Sequence, residues 1–139
     1  MKKIFLLLLI LFLGCNNSDI KLKTVDASDI NNQIKKHKGS KAVLINFWAT
    51  YCVPCIEEFP MIVDLSKKYS EKGMQIYFVS ADWLDRKKEV RDFLLEKDVK
   101  GLSFIKEEGN DNNFINEISR EWSGALPFTI VYDKNGNLS

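Results

Sequence analysis

Ala42 to Trp48 (AVLINFW) is an almost unbroken apolar run of strand length, and it leads straight toward Cys52-Val53-Pro54-Cys55. A strand this apolar is a central one, covered on both faces. Gln75 to Ser80 (QIYFVS) makes the same demand a second time. Between them, Ile56 to Tyr69 spaces Phe59, Ile62, Val63 and Leu65 as a helix does, with Pro60 expected to kink it and Gly73 to end it.

The other segments alternate in the same way. Leu22 to Asp26 reads as a first strand. Ser28 or Asp26 caps a helix that carries Ile30 and Ile34 and closes at Gly39. Asp85 to Asp98 is an amphipathic helix with Val90, Phe93 and Leu94 inward, and its Arg86-Lys87-Lys88 run is a solvated face. Leu102 to Ile105 is a short strand, and Asn110 to Trp122 a helix through Phe114, Ile115 and Ile118. Phe128 to Tyr132 (FTIVY) is a last strand, followed by the turn signal Asp133-Lys134-Asn135-Gly136. Strands alternating with helices give an α/β fold with a mixed central sheet. A length of 139 residues suits one domain, and 45% hydrophobic residues support a packed core. The net charge of +1 gives no electrostatic footprint for nucleic acid.

The first residues read as a targeting segment rather than as part of the fold. Met1-Lys2-Lys3 is basic, and Ile4 to Leu13 is apolar without a break. That run is too short to span a membrane, which takes about 20 residues, and it matches the core of a secretory signal. Leu11-Phe12-Leu13-Gly14-Cys15 then resembles a bacterial lipobox, with Phe12 and Leu13 as departures. The expected organisation is a signal peptide at 1–14, a lipidated N-terminus at Cys15 with a linker to 21, and a domain from 22 to 139. The localisation that follows is exported and membrane-anchored, facing the periplasm or extracytoplasmic space.

With Cys15 carrying lipid, Cys52 and Cys55 remain as one pair. A disulfide across so short a loop removes little entropy from the unfolded chain, so a purely structural role is a poor reading. A zinc site needs four ligands, and His37, the single histidine, sits in what reads as a helix end. No metal is expected, and redox chemistry is the strongest reading of the pair.

Several stretches together resemble the TlpA/ResA-like family of thioredoxin-fold thiol–disulfide oxidoreductases. They are Asn46-Phe47-Trp48-Ala49-Thr50-Tyr51-Cys52-Val53-Pro54-Cys55, Glu57-Glu58-Phe59-Pro60, Gly124-Ala125-Leu126-Pro127-Phe128-Thr129 and Asp133-Lys134-Asn135-Gly136. Tyr51 stands where the family usually has Trp, and Leu126 where a β-branched residue is frequent. The family pattern also continues into a last strand and helix that this sequence does not include.

Position and resemblance together assign expected roles. Cys52, at the strand-to-helix junction, meets the unpaired N–H groups of the helix start and is the nucleophile. Cys55, one turn on, resolves the mixed disulfide. Pro54 rigidifies the loop, Val53 brings no charge to it, and Trp48 flanks it. The resemblance implies that Glu58 is the active-site acid, since Asn46 replaces the titratable Asp of cytosolic thioredoxins. It also implies a cis Pro127 facing the CxxC, with the Leu126 backbone and Tyr51 meeting the substrate. Glu57 fits a surface acid of the first helical turn, and Trp48 and Trp122 read first as packing.

The implied activity is thiol–disulfide exchange through the Cys52–Cys55 couple, with no other cofactor. Protein disulfides are the implied substrates, apocytochrome c cysteines among them, and a membrane thiol carrier of the CcdA/DsbD type is the implied electron donor. Two readings stay open beside this reductant: a disulfide-forming oxidant, and a non-catalytic lipoprotein that uses the fold as a binding module. A peroxidase reading finds no support, because Thr50 and Tyr51 do not make the peroxiredoxin pattern before the reactive Cys.

Overall fold

The computed structural model describes residues 20–139. Cys15 and the signal segment 1–14 lie outside the described residues. The strands are β1 (Lys21–Val25), β2 (Ala42–Trp48), β3 (Met74–Ser80), β4 (Leu102–Lys106) and β5 (Phe128–Tyr132). The helices are α1 (Ala27–Lys35), α2 (Val53–Tyr69), α3 (Lys87–Glu96) and α4 (Asp111–Ile118), and a short 3-10 turn, Leu84–Arg86, leads into α3. The five-stranded sheet runs β1-β4-β3-β2-β5. β2, β3, β4 and β1 pair in parallel, and β5 runs antiparallel against β2 with Asn46 opposite Thr129.

Alternation along β2 builds two cores at once. Val43, Ile45 and Phe47 face one side, where Ile30 and Ile34 of α1 and Phe114 and Ile118 of α4 cover them. Leu44 and Trp48 face the other side, under Phe59, Ile62 and Val63 of α2 and Val90 and Leu94 of α3. The result is three layers, with helices on both faces of the sheet. Trp48 is fully buried and meets the rings of Phe59 and Phe93, each at 4.8 Å between centroids.

Local chemistry explains the element ends. Asp26 caps α1, its carboxylate accepting from Asp29 N–H at 2.8 Å while Asp29 reaches back to Asp26 N–H. Two expectations need correction. α2 begins at Val53, not Ile56, because Cys52 acts as its N-cap and Pro54 fits the first turn. Pro60 lies inside this helix, which continues to Tyr69, with the proline exposed. α4 stops at Ile118, not Trp122, because Ser119 is extended (φ −161°, ψ 131°). Trp122 then reaches the core from a loop, stacking on Phe128 at 4.8 Å and donating from Nε1 to Ala125 O at 2.8 Å. Its spacing from Ile118 mimics a helical repeat, but tertiary packing sets its place.

Far from the cysteines in sequence, α1 closes on β3 through a polar cluster. Gln33 Nε2 donates to Tyr77 Oη at 2.7 Å, and His37 Nε2 lies 2.8 Å from the same oxygen. Tyr77 is buried, so with Gln33 donating, its own proton points to His37. Burial, and then the charges of Lys41 and Lys36, hold the His37 pKa below its ordinary value. The unfolded chain therefore binds this proton more readily. Stability is full above about pH 6.5 and falls as pH drops through the folded value. We expect a melting temperature lower at pH 5 than at pH 7.5 by no more than a few degrees, and His37→Gln to flatten that slope. A wild-type slope retained in the variant would place the titration elsewhere.

Gly124 has φ 87°, and a Cβ there would lie 2.8 Å from Ile115 Cδ1. Both the left-handed backbone and the contact oppose a side chain. Gly124→Ala should cost about 1–2 kcal/mol in denaturant unfolding, and an unchanged midpoint would show that the loop relaxes freely.

Candidate active site

The strand-to-helix junction gathers most of the expected site. Cys52 is the N-cap of α2, and its Sγ accepts from Cys55 N–H at 3.3 Å. Cys52 and Cys55 form a disulfide with their Cα atoms 5.2 Å apart. The pair is unequal, since Cys55 is buried while Cys52 is partly open to solvent. Tyr51 and Val53, on either side of Cys52, are 58% and 67% exposed. Pro54 sits in the first turn, exposed beside them.

Trp48 lies elsewhere than on the loop surface. It is the last residue of β2 and carries the loop from beneath. The Leu126–Pro127 peptide bond is cis. Leu126 shares a cavity of about 120 Å³ with Tyr51, and its own N–H and C=O make no backbone hydrogen bond among the described residues. An extended segment can pair there.

Glu58 is half-buried, and its Oε1 accepts from Asn46 Nδ2 at 3.0 Å. The same amide group donates to Thr129 Oγ1 at 3.1 Å. Asn46 itself is 1% exposed, and its Oδ1 has no partner. This contact ties α2, β2 and β5 together and fixes which way the Glu58 carboxylate points. Glu57 is exposed and takes no part.

A second carboxylate went unnoticed in the sequence. Asp82 is buried just past β3 and accepts from Thr50 N–H at 2.9 Å, from Thr50 Oγ1 at 2.5 Å and from Ser80 Oγ at 2.7 Å. It ties the turn before Cys52 to the end of β3. Ala81 N–H adds a bond to Trp48 O at 2.8 Å. The available signal was Ser80-Ala81-Asp82 at a strand end, a pattern that also suits a surface turn. Partial burial raises the Tyr51 phenol pKa, and the negative charges of Asp82 and Asp111 push it further the same way. Among the described residues, no group of three His, Cys, Asp or Glu gathers to hold a metal.

Comparison with known proteins agrees with this geometry. The model of the AhpC/TSA family matches residues 13–139. The thiol-disulfide oxidoreductase ResA of Bacillus thuringiensis subsp. konkukian is 35% identical over 107 residues, covering 76% of this chain and 56% of that protein. The thioredoxin-like protein YneN of Bacillus subtilis is 32% identical over 125 residues, covering 88% of this chain and 66% of that protein. This chain thus spans little more than half the length of the ResA relative. A thiol:disulfide interchange protein of the thioredoxin family from Chlorobium tepidum shares the fold, with a TM-score of 0.62 and 23% identity over 76% of this chain and 70% of that one. The strand-to-helix dithiol, the cis proline and these likenesses place the chain in the AhpC/TSA family, as a TlpA/ResA-like member with the thioredoxin fold.

Proposed function

We propose that the chain is an exported thiol–disulfide oxidoreductase that reduces protein disulfides. The observation that carries this reading is the unequal Cys52–Cys55 pair at the N-terminus of α2. In the reduced protein, the helix start stabilises a Cys52 thiolate. That thiolate attacks one sulfur of the substrate disulfide, and the other leaves as a thiolate. Cys55 then gives up its proton, and Glu58, aligned by Asn46, is the group we assign to receive it. The Cys55 thiolate attacks Cys52 Sγ, the Cys52–Cys55 bond forms, and the second substrate thiolate departs. The substrate disulfide gains two electrons and the enzyme dithiol loses them.

The Leu126 backbone and Tyr51 would hold the substrate as an added strand. Val53 supports a reductant, since a cation in its place would favour the free thiolate and an oxidising couple. The dithiol itself carries the electrons, and we assign no other cofactor. A lipid on Cys15 would tether the domain outside the cytosol. There a membrane thiol carrier of the CcdA/DsbD type would return the electrons, and the cysteines of apocytochrome c are suitable substrates.

The reduction potential of the full chain, equilibrated with glutathione, tests the direction. A value below about −230 mV fits the reductant, and one near about −120 mV makes the protein an oxidant. Cys52→Ser should abolish exchange while the thermal transition remains, and Cys55→Ser should trap the mixed disulfide. Full activity in Cys52→Ser would end this mechanism. Glu58→Gln should slow resolution about a hundredfold while the first attack by Cys52 keeps its rate. An unchanged rate of resolution would free Glu58 from the proton step.

A further inference from the structure

Two hollows lie side by side at Tyr51, the residue before Cys52. The first, shared by Tyr51 and Leu126, has an apolar wall made by Phe114, Ile115 and Trp122. The second continues past Tyr51 to Trp83, Glu107 and Glu108. Lys106 and Asp111 border both, and they are bound to each other at 2.7 Å.

The charges of the second hollow can be accounted for one by one. Asp82 is held by Thr50 and Ser80. Asp111 is neutralised by Lys106. Arg86, close enough to affect Tyr51, is bound by Glu89. Glu107 and Glu108 are exposed, and neither carboxylate has a hydrogen-bond or ion-pair partner among the described residues. The aromatic rings are equally uncommitted. Trp83 is 59% exposed and Tyr51 58%, and among the described residues no ring or cation stacks on either. Large aromatics left open beside a reactive centre belong to recognition surfaces.

We infer that the hollow between Trp83, Tyr51, Glu107 and Glu108 takes a lysine or arginine side chain of the substrate polypeptide, close in sequence to the cysteine that reacts with Cys52. This inference rests on the exchange activity proposed above. The occupant follows from the chemistry. Open aromatic faces attract a cation, and unpaired carboxylates complement its charge. An acidic segment would meet repulsion, and a wholly apolar one would leave both carboxylates unanswered. The hollow is lined by Tyr51, the residue before Cys52, and an extended substrate advances roughly 3.3 Å per residue, so the basic residue lies within a few positions of the cysteine.

The test uses the reduced full chain and peptides that carry one cysteine as a mixed disulfide with 2-nitro-5-thiobenzoate. Cys52 attacks the peptide sulfur and nitrothiobenzoate leaves as a coloured thiolate. Cys55 then displaces the peptide thiol and closes the Cys52–Cys55 bond. Arg, Gln or Glu is placed in turn at each of the four positions on either side of the cysteine. At one position, Arg should react about tenfold faster than Glu at low salt, and the gap should narrow at high salt. The double variant Glu107→Gln/Glu108→Gln should reduce the preference to less than about twofold while leaving the Gln peptide unaffected. Trp83→Ala should weaken it without removing it. Equal rates for Arg and Glu at every position would overturn the inference, as would a preference that survives in the double variant. If Arg and Glu react alike but the Gln peptide is turned over, only the cleft assignment fails. If no peptide releases the chromophore, the exchange activity fails and takes the cleft with it.

Discussion

Everything at the active end depends on β2 being buried from both sides. From Val43 to Trp48 each residue is buried, and Phe47 and Trp48 are fully so, one on each face of the sheet. Burying side chains of this size stabilises by roughly 1.5–3 kcal/mol each, so the strand cannot slide without losing several such terms. A slip of one residue would also exchange the two faces. The strand therefore ends at one place, with Trp48 locked against Phe59 and Phe93. Asp82 then holds the next turn, and the chain enters α2 with Cys52 at its cap. A reactive sulfur needs that fixed address, because helix-end electrostatics fade within the first turn.

The same burial explains why the polar residue of β2 is an amide. A carboxylate at position 46 would be closed off from water, and an isolated buried charge is costly. Asn46 avoids that cost and uses its two N–H bonds to bind Glu58 and Thr129. The carboxylate that Asn46 binds, Glu58, is half-buried and keeps contact with solvent. In the mechanism we propose, the amide fixes the geometry and the acid receives the proton of Cys55.

Local patterns in the chain carried most of the fold. β2, β3 and β5 could be read from apolar runs, α1 from its cap, and the junction from the CxxC that follows a buried strand. The error at α4 shows the limit of such patterns. Trp122 lies at a helical spacing from Ile118, yet it reaches the core from a loop held by its own bond to Ala125. Periodicity reports which face a residue seeks and not the path taken to it. Partners distant in sequence were invisible for a related reason. Asn46 and Thr129 meet because β5 returns antiparallel beside β2. Asp82 and Thr50 meet because β2 and β3 end side by side. Nothing within a short window distinguishes Asp82 from a solvated turn acid.

Net charge was equally blind to the site. A total of +1 is a sum over the whole surface, and at physiological salt a charge is felt only within about 8 Å. What a partner meets is the set of groups left unpaired within that range. Two acids of the hollow beside Tyr51 have taken internal partners, Asp82 with Thr50 and Asp111 with Lys106, so their charge is partly answered from within. Glu107 and Glu108 have not, and the exposed rings of Trp83 and Tyr51 border the same hollow. The cleft we infer draws its selectivity from such local remainders. They become visible only after each internal pair has been assigned.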